Sequence, residues 1–314
     1  MQPLITVAIP TYNRACHVER LLNQIIEHKV TDVAEILVID DGGSDGTYDK
    51  LMTNNAILQC GIKVLKNESN MGYSQTFVRL FAECKTEYIM IMADDDLLII
   101  ENLKPLIDFL IIKKPDFVSP QFLINNAIYR GKKESRKIQA SEFQQCCGHA
   151  PGLIYKVSEC KIGLKMLADR IKANSADALV YPQVLIVISL LMTEAKAYWL
   201  ALPLALEAAG EPSGIRDANG SVYWSMESRW QQIKAFDDLF TDFLSSKSND
   251  AVLAMQRVNR NRVFGWLVCP MEDERPELRL AFDSCARLFY FKQIIKKLIL
   301  WNYLQSIFIF NKNV

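Results

Sequence analysis

Residues 88–93, Tyr-Ile-Met-Ile-Met-Ala, are apolar or aromatic throughout, and Asp94, Asp95 and Asp96 follow them directly. The run has the length and composition of a buried strand. A strand interior cannot hold three adjacent carboxylates without partners, so the triplet belongs where the strand leaves the core. No basic residue flanks it, and apolar residues resume at once with Leu97-Leu98-Ile99-Ile100. Carboxylates crowded in this way repel, and at least one resists ionisation unless a cation neutralises it. Hard oxygen donors suit Mn²⁺ or Mg²⁺, which bind a few carboxylates together with a substrate's phosphates. Two readings follow. One is a metal–diphosphate site at the C-terminal end of a parallel strand. The other is a solvated acidic turn with an Asp capping the next helix.

The preceding residues favour the first reading. Residues 4–9 are β-rich and mostly apolar, and predict a buried parallel strand ended by Pro10. A helix is expected over 16–28, with Val18, Leu21, Leu22, Ile25 and Ile26 on one face. Strands are expected over 34–39 and 62–66, and helices from 48 and over 75–84. This β-α-β-α-β-α-β alternation predicts an α/β fold whose parallel sheet is flanked by helices. Ligands of open α/β sheets bind at the carboxyl ends of the strands. Four polar clusters fall there: 11–14, 40–47, 70–74 and 94–96. Each alone could be a turn or a helix cap; their convergence on one edge points to a site. No G-x-G-x-x-G follows the first strand and no P-loop signature occurs, so a phosphate must be held in another way.

Lys and Arg total 36, as do Asp and Glu, which gives no electrostatic footprint of a nucleic-acid binder. The eight Cys form no C-x-x-C, and with only three His a zinc site is not expected. They read as reduced thiols of a cytoplasmic protein, with no targeting segment ahead of the first strand. No apolar run has the length needed to span a bilayer.

Val7-Ala-Ile-Pro-Thr-Tyr-Asn-Arg14, Val38-Ile-Asp-Asp-Gly-Gly-Ser-Asp-Gly-Thr47, Asn70-Met-Gly-Tyr-Ser74 and the acidic triplet together resemble the family 2 glycosyltransferases. The resemblance implies a GT-A fold, a mostly parallel Rossmann-like mixed sheet, and inverting sugar transfer from a nucleotide-diphosphate donor with Mn²⁺ or Mg²⁺. It covers about the first 100 residues and thins beyond 160. By the resemblance, Tyr12 lies against the base, with Pro10 and Thr11 shaping the same wall. Asp41, or Asp40 in its place, accepts from the base's imide, which favours UDP. Arg14 approaches the diphosphate, and Asn70 and Gly72 flank the nucleotide. Asp94 and Asp96 are the two ends of the D-x-D motif, one toward ribose and one toward metal, and Asp95 could replace either. The family often carries an Arg-Asn pair after the position of Gly72, where this chain has Gln75-Thr76-Phe77.

Transfer also needs a carboxylate base for the acceptor hydroxyl. The family's window for it holds Asp177 and Glu194; Asp177 is preferred, and its alternative role is to cap the helix starting near Ala178. Residues 179–192 read as a core helix, and 117–119 and 122–124 as short strands on the acceptor side. The basic run 129–137 reads as an exposed loop. His149, in a Gly/Pro-rich turn, is a candidate contact to sugar or phosphate. Residues 203–220, with two Pro and three Gly, read as a lid bearing Arg216, a second candidate phosphate contact. Trp224 and Trp230 suggest helices. The tail 289–310 mixes Lys292, Lys296 and Lys297 with Trp301, Phe308 and Phe310, as a helix lying on a membrane surface would. A packed final helix or a dimer contact are its alternatives.

The expected organisation is a transferase domain over 1–220, with a nucleotide half (1–100) and an acceptor half (101–220), and a helical region over 221–314. The expected partners are a nucleotide-sugar donor, a glycan or lipid-linked acceptor and the inner face of the cell membrane. A sugar-nucleotide pyrophosphorylase needs a basic Gly-rich loop after the first strand, which is absent. A non-catalytic nucleotide-sugar-binding or scaffold protein is the competing class.

Overall fold

The computed structural model describes residues 3–208, 226–246 and 249–268. The first half alternates strand and helix: β1 (Ile5–Thr11), α1 (Ala15–Glu27), β2 (Glu35–Asp40), α2 (Thr47–Thr53), α3 (Asn55–Gln59), β3 (Lys63–Lys66), α4 (Tyr73–Glu83) and β4 (Tyr88–Ile91). Then come β5 (Asp96–Leu98), α5 (Leu103–Lys113), β6 (Phe117–Ile124), β7 (Ala127–Arg130) and β8 (Arg136–Lys137). The remainder is α6 (Phe143–Cys147), β9 (Leu153–Lys156), α7 (Lys161–Lys172), α8 (Ala176–Val180), α9 (Pro182–Met192), β10 (Ala197–Glu207), α10 (Met226–Ser246) and α11 (Asp250–Val268).

One sheet runs in the order β3-β2-β1-β4-β9-β6-β10-β5, with β7 paired to β6 and β8 to β10. β1 to β4 are parallel. β9 lies antiparallel between β4 and β6, so β6 and its parallel partner β10 point the same way as the first four. Their carboxyl ends therefore share one edge. β5 runs antiparallel along the end of β10 and sets Asp96 opposite Glu207. Its other side meets α1, where the Gln24 amide donates to Leu98 O and accepts from Leu98 N–H, standing in for a strand.

Side chains alternate across this sheet. Ala8, Leu37, Ile39, Ile89 and Ile91 face α4, α7 and α9, where Phe77, Phe81, Leu167 and the centre of α9 are buried. Val7, Ile9, Val38, Met90 and Met92 face α1 and α5, where Leu21, Leu22, Leu106 and Leu110 are buried. α1 buries Ala15, Val18, Leu21, Leu22 and Ile25, the stripe expected of an amphipathic helix. α9 is buried from Pro182 to Leu191, as its unbroken apolar sequence predicts. Phe236 and Phe240 of α10 and Val252 and Met255 of α11 join Phe143 in the first of these cores. Among the described residues, no helix is long and apolar enough to cross a membrane.

Several boundaries differ from expectation. β1 runs through Pro10 to Thr11 instead of stopping at it. Ala8 accepts from Met92 on the β4 side and Thr11 from Asp41 on the β2 side, so the missing Pro10 N–H points where the β4 ladder has ended. The two short strands expected after 117 are one strand through Pro120. Asp96 opens β5 and caps no helix. The lid expected from 203 begins inside the sheet, because Pro203 belongs to β10; the rest of it from 209, Arg216, Trp224, the side chain of Trp230 and the tail 289–310 lie outside the described residues. The basic run 129–137 is not uniformly exposed: Tyr129 is, whereas Arg130 is 4% exposed.

The loop after β2 depends on Gly42, whose φ is +71°. A Cβ there would lie 2.3 Å from Ser69 C and 2.7 Å from Asn70 N, both main-chain atoms that cannot yield cheaply. Gly42→Ala is expected to cost about 2 kcal/mol, from left-handed strain and displacement of the facing loop, read as a lowered urea midpoint with unchanged slope.

Candidate functional site

The acidic triplet is held from β1 and the loop after it. The Thr11 hydroxyl donates to Asp94 Oδ2 at 2.7 Å. Arg14 Nη1 bridges Asp94 Oδ1 at 3.1 Å and Asp95 Oδ2 at 2.7 Å. Arg20, one turn into α1, donates to the Asp95 carbonyl at 2.6 Å. Thr11, Asp94 and Asp96 are all buried. Burial raises the pKa of Asp94, opposed by the Thr11 hydrogen bond and the Arg14 charge. Asp96 has no hydrogen bond or ion pair to its carboxylate among the described residues. Burial, with repulsion from Asp95, Glu207 and Asp94, pushes its pKa up to about 8. Among the described residues, no three His, Cys, Asp or Glu side chains converge to hold a metal ion. Among the described residues, the acidic triplet thus offers one unpaired carboxylate and no complete cage.

A second cluster lies beside it at the ends of β2 and β3. Asp41 Oδ1 accepts from Asn67 Nδ2 at 2.6 Å and from Met71 N–H at 3.0 Å. No described residue bonds Oδ2. Asn67 also donates to the Thr76 hydroxyl at 2.7 Å and accepts from Arg79. Asp40 is fully buried with Oδ1 on Gly43 N–H at 3.0 Å, so it shapes the loop and does not face outward. Asp45 accepts from Ala15 N–H at 3.2 Å and from Thr47 N–H at 3.0 Å, tying together the first turns of α1 and α2. Asn70 accepts from Gly72 N–H at 2.9 Å in an exposed turn. Tyr12 is 43% exposed beyond the strand end, free to offer a ring face.

Pro10, Thr11, Tyr12, Arg14, Asp40, Asp41, Asn70, Gly72 and the triplet therefore share the carboxyl edge. Two candidates sit differently. His149 packs its ring against Phe122 and Tyr129, at 4.2 and 5.4 Å between centroids. Asp177 is fully buried in the first turn of α8. Its Oδ1 accepts from Ser175 Oγ at 2.6 Å and Ala178 N–H at 2.9 Å, and its Oδ2 pairs with Arg170 Nε at 2.7 Å. The helix cap position belongs to Ser175. Arg170 continues to the Ala235 carbonyl of α10 at 3.0 Å. The Ser74 hydroxyl of α4 donates to Ala178 O at 2.5 Å, which sets α8 against the helix that follows Gly72.

Sequence reasoning missed Asn67, Arg20, Glu207 and Arg130. Asn67 directly follows β3, so the strand-exit rule that found the other clusters would have found it. Glu207 ends β10, a strand exit hidden inside the lid expected from 203, and Arg20 and Arg130 reach the edge from a helix and a hairpin, which carry no such signal.

A family model described as glycosyl transferase family 2 matches residues 6–175, more than half of the chain. The chain belongs to that family. An uncharacterised glycosyltransferase of Mycoplasma genitalium is 32% identical to this family 2 chain over 99 residues, 30% of the chain and 32% of that protein. Abequosyltransferase RfbV of Salmonella typhimurium is 30% identical over 101 residues, 32% of the chain and 30% of that protein. The matches span about a third of the length of these curated relatives. S. aureus TarS 1–349 in complex with UDP-GlcNAc superposes with a TM-score of 0.62 at 18% identity, over 86% of this chain and 77% of that one. Its complex with UDP gives 0.57 at 14%, over 86% and 76%. The likeness is one of fold, and the GT-A architecture expected from the sequence is the one found.

The Arg170–Asp177 pair generates a stability prediction. Arg170→Met leaves a fully buried carboxylate without its counter-charge and is expected to cost about 3 kcal/mol. Adding Asp177→Asn removes that charge and is expected to recover part of the loss. Urea denaturation of the two single variants and the double variant reads both effects.

Proposed function

We propose that this family 2 chain is an inverting glycosyltransferase. It moves a sugar from a nucleotide-diphosphate donor, UDP by preference, to a hydroxyl of a glycan or lipid-linked oligosaccharide in surface polysaccharide synthesis. The nucleotide half is 1–100 and the acceptor half 101–220. The protein acts in the cytoplasm at the inner membrane surface, held there through 289–310. One observation carries the reading: a single sheet edge presents Asp41 with one oxygen unbonded, exposed Tyr12, Arg14, and the buried unpaired carboxylate of Asp96. The family membership, the name of the Salmonella relative and the UDP-GlcNAc bound to TarS support it.

Each group has a task in that reading. Asp41 accepts the base's imide N–H on Oδ2 while Asn67 and Met71 hold Oδ1. Tyr12 covers the base. Arg14 turns spare guanidinium N–H groups to the diphosphate and steadies the charge that grows on it as the sugar leaves. Asp94, bonded to Thr11 and Arg14, faces the ribose. Asp96, whose carboxylate has no partner among the described residues, would hold Mn²⁺ or Mg²⁺. The bound cation supplies Lewis-acid neutralisation of the leaving diphosphate. Asp177 is the assigned base: Arg170 pairs with its Oδ2, and its Oδ1 must leave Ser175 to take the acceptor's proton.

A second reading has its own support. With both oxygens of Asp177 engaged inside the protein, the chain could bind a nucleotide sugar without turning it over. Calorimetry with UDP-, dTDP- and GDP-sugars, with and without Mn²⁺, on wild type and Asp96→Ala tests donor binding. One donor should bind with Mn²⁺, and the substitution should abolish it; no binding in any condition sinks both readings. Turnover of that donor separates the two. Catalysis predicts that Asp177→Asn loses at least a hundredfold in rate with donor affinity kept, whereas turnover absent in the wild type selects the binding protein.

The raised pKa of Asp96 sets a pH dependence. Below about 8 the carboxyl is protonated, so Mn²⁺ must displace a proton to bind. Mn²⁺ affinity in the presence of donor should rise with pH, by up to about tenfold per unit, and level off above about 8. The sign for stability is opposite. The folded state holds this proton more tightly than the unfolded chain, so without metal Asp96 costs stability as pH rises from the ordinary carboxylate range to about 8. Titration calorimetry and thermal melts across that range measure the two trends.

A further inference from the structure

Arg130 is a nearly buried cation, 4% exposed, at the end of β7. Among the described residues its partners are main-chain carbonyls alone. Nε and Nη2 each donate to Pro120 O at 3.2 Å, and Nη1 donates to His149 O at 2.6 Å. One N–H on Nη1 and one on Nη2 are left over. No carboxylate lies within ion-pair distance among the described residues. Burying a full charge without a counter-charge is costly, and a core position of this size could be filled by Met or Leu at no such cost. Burial lowers its pKa only to about 10, so it stays charged at neutral pH.

Its surroundings say what it faces. Pro120 lies in β6, and Gly152 opens the turn into β9 while donating its N–H to Ile91, the last residue of β4. A Cβ on Gly152 would lie 3.4 Å from Arg130 Nη2 and 3.5 Å from Ala205 Cβ, so the missing side chain leaves the guanidinium next to the exit of β4. That exit carries Asp94–Asp96, and the Asp96 charge is felt at Arg130. A second buried polar group in the same turn is also unspent. His149 Nδ1 has no partner among the described residues, and burial together with the Arg130 charge holds the ring neutral. A neutral imidazole can donate from Nδ1. Two donor groups without acceptors among the described residues, Arg130 and His149 Nδ1, therefore lie on the β6 side of the acidic edge, away from Asp41.

We propose that Arg130 and His149 form an oxyanion subsite on the sugar side of the donor, taking either a terminal phosphate oxygen of the diphosphate or a carboxylate on the transferred sugar. The proposal rests on the donor reading above and adds to it a residue pair and a ligand chemistry. A forked guanidinium beside a ring N–H suits either oxyanion, and the cation offsets charge on a group that the acidic triplet would otherwise repel.

The test is calorimetry on wild type, Arg130→Met and His149→Phe with four ligands, written here for uracil: uridine, UDP, UDP-glucose and UDP-glucuronate. Both variants should bind uridine as the wild type does, since uridine has no oxyanion. If the subsite takes phosphate, Arg130→Met weakens UDP and both donors at least tenfold and His149→Phe weakens them severalfold. If it takes a sugar carboxylate, only UDP-glucuronate loses. Equal affinity of wild type and variants for all three charged ligands overturns the proposal. So does a loss for uridine as large as for UDP, which marks a structural role only. Should Arg130→Met fail to fold, His149→Phe keeps the ring volume and decides alone by the same comparison. Failure of the wild type to bind any of the four overturns the donor reading itself, an outcome distinct from failure of the subsite.

Discussion

Three consecutive carboxylates can end a buried strand only if something outside that strand receives them, and the bridge from Thr11 and Arg14 to Asp94 and Asp95 does so. It joins the exits of β1 and β4, strands that are neighbours in the sheet but about 80 residues apart in sequence. Arg14 occupies one side of the triplet and leaves Asp96 alone on the other, across from Glu207. The edge is therefore polarised: a cation built into the protein on one side, and on the other a buried carboxyl that holds its proton up to about pH 8 and has no partner among the described residues. The Asp41 cluster repeats the arrangement with neutral partners, one carboxylate oxygen secured by Asn67 and Met71 and the other left unbonded.

The fold of the first half was legible because its signals are local. Continuous apolar runs, amphipathic helices and polar strand exits each occupy a few consecutive residues, and the helix and strand ends fall within a residue or two of expectation through β4. What failed was punctuation by proline. Pro10 and Pro120 both lie inside strands, and for Pro10 the reason is visible only when the neighbouring ladder is known to have ended. Asp96 opening a strand instead of capping a helix is similar, because β5 exists only through pairing with β10 more than a hundred residues later.

The site was legible as a list of residues but not as a set of partners. Which oxygen of Asp41 is bonded, which Asp of the triplet stands unpaired, and that Asp177 is locked to Arg170 are facts of packing. Arg130 shows the limit most clearly. Within a basic stretch it reads as one solvated charge among several, whereas a hairpin turns it inward while Tyr129 beside it stays outside.

The antiparallel insertion of β9 between β4 and β6 has a bearing on how the chain reaches this state during synthesis. Until residues 153–156 have emerged, β4 has no neighbour on its outer side, and the acidic turn lacks its crossing strand until β10 is complete. The first hundred residues, which hold nearly every motif, thus present an unpaired apolar strand edge to solvent for as long as translation takes to supply another hundred. Slow, long-range closure of that kind invites a holding chaperone and makes the first hundred residues a poor choice for separate expression.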